Sequence, residues 1–183
     1  PEYRSSEATL LAMQTTLFAD GLRLLTTMTA TDTHVRLLAD VHRVLQAAGH
    51  RLTAAWPRVL AVLAAAAQLP DRAAVVAQAF QTVLLVSTDY LACLMAHDTD
   101  AHTQGSEDKE EDKEGSCMDQ YIDVVALYAQ QTDHMNISLS SEDVLWSVAS
   151  FLAKTAAADA GAAATPTPLC APLALHVMRV LQQ

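Results

Sequence analysis

Glycine and proline are scarce in this chain, five and six among 183 residues, and aromatic side chains make up only 5% of it. Strand signals are nearly absent. Ala, Leu and Val supply most of the apolar half, and Ala and Leu lose little entropy in a helix, so the composition favours helices throughout. The three cysteines, Cys93, Cys117 and Cys170, are odd in number and irregularly spaced. That excludes a disulfide framework, suits reduced thiols in a cytosolic protein, and gives no reason to expect a structural zinc site.

Positive charge is also short: 11 Lys and Arg face 21 Asp and Glu, leaving a net charge of -10. Binding to nucleic acid or to an anionic lipid surface needs a basic stripe, so neither partner is expected. No apolar run reaches the roughly 20 residues that cross a bilayer, because His, Arg, Asp or Gln interrupts each candidate. The chain reads as soluble. It opens on "PEYRSSEATL" with neither an initiator Met nor a signal peptide, and it reads as an excised segment of a larger protein. Gly-rich phosphate loops, nucleophile elbows and HExxH patterns are missing too, so neither an enzyme nor a cofactor is expected.

What is present is helical periodicity. Apolar residues at Leu10, Leu11, Met13, Leu17, Phe18, Leu22, Leu24 and Leu25 predict an amphipathic helix from about Ser6 to Met28. Asp32 or Thr33 reads as the cap of a second helix whose stripe is Val35, Leu38, Val41, Val44 and Leu45, with Gly49 as a left-handed stop. A third runs from about Ala55 to Gln68 with Pro57 in its first turn. A fourth follows Pro70 and Asp71 and continues to about His97. The charged text of residues 98–116, containing "EDKEEDKE", reads as a disordered acidic loop.

The fifth helix places Met118, Tyr121, Ile122, Val125 and Leu127 or Tyr128 inward, and the sixth runs from about Asn136 to Ala158. Its cap is Asn136, or alternatively Ser140 or Ser141, and its stripe is Ile137, Leu139, Val144, Leu145, Val148, Phe151 and Leu152. Residues 159–168 form a flexible linker, and a seventh helix follows Pro172. About seven helices in consecutive pairs predict an all-α fold, an α-solenoid of stacked antiparallel hairpins of the HEAT or armadillo kind, with a simple bundle as the alternative. Excised end helices would expose apolar stripes, which predicts a homodimer.

Candidate sites are few. Asn136-Ile137-Ser138 matches a glycosylation sequon, but without a signal sequence a helix start is the simpler reading. His97 and His102 lie beside Asp98 and Asp100, a set of N and O ligands in a loop without fixed geometry, so only adventitious metal binding is expected. His34 and His42 share a helix face but stand too far apart for one ion, and His50 and His176 read as surface or interface residues. Asp89, Asp119 and Asp123 read as solvated helix positions. Trp56 and Trp146 are either packing residues between hairpins or a partner-binding ridge, and exposure decides.

Three phrases carry a family resemblance. "VLQAAGHRLTAAWPRVLAVLAAAA" keeps Gly49, Leu52, Trp56 and Pro57, and "AFQTVLLVSTDYL" keeps Ala79, Phe80, Asp89, Tyr90 and Leu91. "NISLSSEDVLWSVASFL" keeps Asn136, Ile137, Ser138, Leu139, Leu145 and Trp146 in type and spacing. In this order they resemble the regulatory helical region of the large Arf guanine-nucleotide exchange factors, and most closely their non-catalytic relatives, the Mon-two (monensin-sensitivity) trafficking scaffolds. The resemblance implies a non-catalytic helical scaffold segment, cytoplasmic and peripheral at trans-Golgi and endosome membranes. It implies protein partners, among them Arf-class small GTPases and membrane-trafficking factors. A generic HEAT or armadillo adaptor, from nuclear transport or a phosphatase scaffold, would have the same fold.

Overall fold

The computed structural model describes residues 2–69, 72–104, 116–162 and 170–180, and within these every regular element is helical. The elements are α1 (Glu2–Thr27), α2 (Thr31–Ala48), a 3-10 turn (Gly49–Arg51), α3 (Trp56–Ala67), α4 (Ala73–Leu85), a π segment (Val86–Tyr90), α5 (Leu91–Gln104), α6 (Cys117–Ala129), α7 (Met135–Ala162) and α8 (Cys170–Val180). The protein is all-α, and α4, the π segment and α5 form one unbroken rod.

Neighbours in space follow a simple order. α1, α3, α6 and α8 pack successively in one layer, with α2, α4 and α7 in the other. Sequential helices also pack on one another, α3 with α4 and α6 with α7. The core is continuous across both layers. It runs from Phe18 and Leu25 through Leu38, Leu45, Leu60, Leu63, Val83 and Ile122 to Leu152 and Val177.

Several boundaries differ from the sequence expectation. α2 begins at Thr31 after Ala30, which makes no side-chain cap, so neither Asp32 nor Thr33 is the capping residue. α7 begins at Met135 and its first amides bond to the His134 carbonyl, leaving Asn136, Ser140 and Ser141 inside the helix rather than at its cap. Residues 98–104 are helical, continuing α5, while 105–115 lie outside the described residues. α7 likewise extends to Ala162, residues 163–169 lie outside the described set, and α8 starts at Cys170, two residues before Pro172. Each extension costs little, since Ala-rich or charged turns add intrahelical bonds without demanding burial.

The rod from Ala73 to Thr99 is long and apolar enough to cross a membrane by length and composition, which corrects the expectation that polar residues interrupt every candidate. Its apolar residues have protein to meet. Val75, Val76, Ala79, Phe80, Val83, Val86, Leu91 and Leu94 are all buried in the core between the layers. Other positions expected inside are not. Met13 and Leu17 on α1 and Leu139 on α7 are exposed, because no neighbouring helix covers those faces among the described residues.

Sparse aromatics fasten the helices to one another. Tyr90 donates its hydroxyl to the Leu45 carbonyl at 2.6 Å, Tyr121 to Val83 at 2.9 Å and Tyr128 to Leu63 at 2.9 Å. Each phenol thus crosses from its own helix to a backbone oxygen of another, satisfying a buried polar atom at both ends. On α2, His42 Nδ1 meets Thr82 Oγ1 at 3.2 Å, and His34 Nδ1 accepts from Arg72 at 2.5 Å while Arg72 also donates to the Thr29 carbonyl at 3.0 Å. His34 is fully buried and His42 half-buried, so the pair expected to share only a helix face instead ties α2 to α4 and its N-terminal turn.

Candidate functional site

The residues singled out by the first two phrases form a packing node. Trp56 is fully buried at the start of α3, and its indole stacks obliquely on the Tyr90 ring, 5.5 Å between centroids. His50 lies on Tyr90 as well, 4.8 Å away. Leu52 and Phe80 are buried, and Phe80 packs 5.5 Å from the Tyr128 ring. Pro57 occupies the first turn of α3, as its fixed φ allows. Asp89 is exposed on the π segment.

Gly49 is needed here for a different reason than expected. Its φ of -55° and ψ of -39° are right-handed helical, so no left-handed stop exists. Instead a β-carbon at this position would lie 2.4 Å from Tyr90 Cζ and 2.7 Å from its hydroxyl oxygen. Only hydrogen at Cα lets the phenol reach Leu45. Burial raises the Tyr90 pKa, with Asp89 and then Cys93 adding to the rise, so the hydroxyl remains a donor.

The third phrase divides between core and surface. Leu145 is buried, Ile137 packs at the edge of the core, and Ser138 donates to the Ala129 carbonyl at 2.5 Å, satisfying the C-terminal end of α6. Asn136 is exposed. Met135, Leu139 and Trp146 are 71%, 56% and 58% exposed along α7, and their spacing of four and seven residues lays them on one helix face. Trp146 also borders a groove of about 370 Å³ between α7 and the rod, lined by Ser87, Leu91, Ser147, Ser150, Phe151 and Lys154. Exposure therefore separates the two tryptophans: Trp56 packs, and Trp146 faces solvent.

A second cluster was invisible to sequence spacing. His97 and Asp98 stand on α5 rather than in a loop, and the fold brings Cys117, first residue of α6, against them. Asp98 is buried and accepts at Oδ1 from the Cys117 amide at 2.7 Å and at Oδ2 from the Met118 amide at 3.1 Å and the Ser116 hydroxyl at 2.5 Å. It therefore caps α6 together with Ser116, where the helix dipole favours a carboxylate. His97 Nδ1 lies 3.3 Å from Cys117 Sγ and 3.7 Å from Asp98 Oδ1. Of the partners read from the sequence, Asp100 and His102 belong to the same helix.

Chemically this is not a nucleophilic triad. Such a triad needs the imidazole to use one nitrogen on the nucleophile and the other on the carboxylate. Here thiol and carboxylate face the same nitrogen. A second thiol, Cys93, sits 3.6 Å from His50 Nδ1, and burial raises its pKa, which disfavours the reactive thiolate.

Two curated relatives are similar to this chain. Protein MON2 homolog of Xenopus laevis is 25% identical over 135 residues, and Protein MON2 homolog of Drosophila melanogaster is 26% identical over 136. Each alignment covers 74% of this chain and 7% of the relative, so the chain spans a small part of their length. No family model and no solved structure matches the chain.

Proposed function

From its likeness to the two MON2 homologues, we propose that this chain is a helical-repeat segment of a non-catalytic trafficking scaffold that offers one face to protein partners. The observation that carries the reading is the exposed stripe Met135, Leu139 and Trp146 on α7. Packing does not require these large apolar side chains at the surface, and a tryptophan at the rim of a groove is the residue type that anchors interfaces. The phrase that contains Leu139 and Trp146 is the one in which the sequence most resembles the Mon-two scaffolds.

On this reading the hairpins stack as a solenoid, and the segment works at trans-Golgi and endosome membranes through proteins, Arf-class GTPases and trafficking factors among them. Self-association is part of the same proposal. α1 presents Met13 and Leu17 and α8 presents Leu175 and Met178 to solvent, so both ends of the stack have apolar side chains that a second copy would cover. Light scattering at rising concentration is expected to show dimers; a strict monomer would remove this part.

The test of the main reading is direct binding of the purified chain to Arf-class GTPases in both nucleotide states, together with capture from a native extract. The wild type should retain GTPase or trafficking factors, and Trp146→Ala with Leu139→Asp should lose them. Retention of transport cargo or phosphatase subunits instead would favour a generic adaptor. Binding unchanged in the double variant would remove the α7 face.

A further inference from the structure

We infer that His97, Asp98 and Cys117 form a binding site for a divalent transition-metal ion of the zinc class, closing the base of the segment that joins α5 to α6. Their ligand atoms, one nitrogen, one oxygen and one sulfur, all lie within 4.8 Å of one another. Zinc held tetrahedrally at bond lengths of about 2.0 to 2.3 Å keeps neighbouring ligands roughly 3.3 to 3.8 Å apart. The observed Nδ1 to Sγ and Nδ1 to Oδ1 separations, 3.3 Å and 3.7 Å, fall in that range.

Convergence is the second argument. A hydrogen-bonded relay would spread its partners over both imidazole nitrogens, whereas here thiol and carboxylate crowd a single nitrogen. Imidazole presents a single lone pair at that atom when its other nitrogen carries the proton, and both thiol and carboxylate lie around it. A cation between the three would draw on that lone pair, the thiolate and a carboxylate oxygen together. It would bind the thiolate, releasing the Cys117 proton to solvent, and would also place positive charge beside the buried Asp98 carboxylate.

The surroundings suit the task. Asp98 is held by two backbone amides and the Ser116 hydroxyl, which fixes its carboxylate while Oδ1, accepting one of these bonds, retains a lone pair for an ion. The side chain of His97 is 25% exposed, which leaves a path for the ion and a place for a water as fourth ligand. Nitrogen, sulfur and oxygen together select zinc or cobalt over calcium and magnesium, which take oxygen ligands. The site ties α5 to α6 across 20 residues of sequence, so the metal would act as a structural clamp.

The experiment is cobalt(II) titration of the full, chelator-treated chain, followed by zinc competition. One equivalent should bind with a near-ultraviolet thiolate-to-cobalt charge-transfer band, zinc should abolish that band, and the melting temperature should rise on loading. Cys117→Ser should lose the band. His97→Gln, on the accessible edge and outside the α6 cap, should weaken binding at least tenfold while circular dichroism shows an unchanged helix content. Cys93→Ser should bind as the wild type does. Absence of the band, its persistence in Cys117→Ser, its loss in Cys93→Ser instead, or affinity within twofold of wild type in His97→Gln would each overturn the assignment. If Cys117→Ser does not fold, the His97→Gln and Cys93→Ser results decide alone.

Discussion

The chain contains two tryptophans, and their surroundings are opposite. Trp56 opens α3 in full burial against Tyr90, beside a glycine that exists to make room for that tyrosine. Trp146 stands on α7 with more than half its surface in solvent, at the edge of a shallow groove. Both have leucine and valine neighbours in sequence, and both fall in phrases that resemble the same family. What separates them is the presence of a facing helix: α3 lies in the middle of its layer, between α1 and α6. Among the described residues no helix covers the exposed face of α7 in the same way.

Substitutions should widen that contrast. Trp56→Ala is expected to be the most damaging, losing about 3 to 5 kcal/mol in denaturant unfolding, because the large cavity cannot collapse in the centre of the core. Next comes alkaline titration of the buried side. Burial pushes the pKa of Tyr121 and of Tyr128 well above the ordinary phenol value, with the Ser87 side chain opposing part of the rise for Tyr121. Below about pH 10 both phenols are protonated, folded or unfolded, and their contribution is whole. Above it the unfolded chain releases protons that the folded chain keeps, so stability should fall by about 1.4 kcal/mol per pH unit for each tyrosine. Unfolding midpoints measured from pH 9 to pH 11 test this.

Gly49→Ala should cost about 1 to 3 kcal/mol, since the added methyl collides with a ring that its own hydrogen bond holds in place. If the loss comes from displacing Tyr90, then combining it with Tyr90→Phe should cost less than the sum of the two singles, and a double-mutant cycle reads that coupling. Trp146→Ala should change stability by no more than about 0.5 kcal/mol, as surface replacements do. In the wild type an aqueous quencher should reach the fluorescence of Trp146 and spare that of Trp56. Equal quenching would erase the contrast between the two sites.

Much of the helical fold was readable from periodicity. The stripe of α2 was found nearly complete, with Leu38, Val41 and Leu45 buried, and on α6 Met118, Tyr121, Ile122 and Val125 all point inward. Pro57 revealed the start of α3 because its missing amide hydrogen restricts it to that turn. Caps were read less well. Asn136 and Asp32 are good capping residues by type, yet α2 begins after Ala30 without side-chain help and α7 begins at Met135, one residue before Asn136, while the cap of α6 combines adjacent Ser116 with Asp98 from another helix. Spacing also gave no warning of the His97, Asp98 and Cys117 cluster. A cysteine 19 residues past a carboxylate meets it only after two helices turn back on one another.

The sequence by itself determined that this protein is helical, where most of its helices lie and which residues are apolar enough to be buried, because helical propensity and a 3.6-residue repeat are local properties. The tertiary structure decided which apolar faces found a partner. It also decided that Gly49 serves space rather than chirality, and that Tyr128 on α6 reaches Leu63 across 65 residues of chain. Such outcomes depend on the order in which hairpins pack, and two residues far apart in sequence carry no local signal of the distance that will separate them in space.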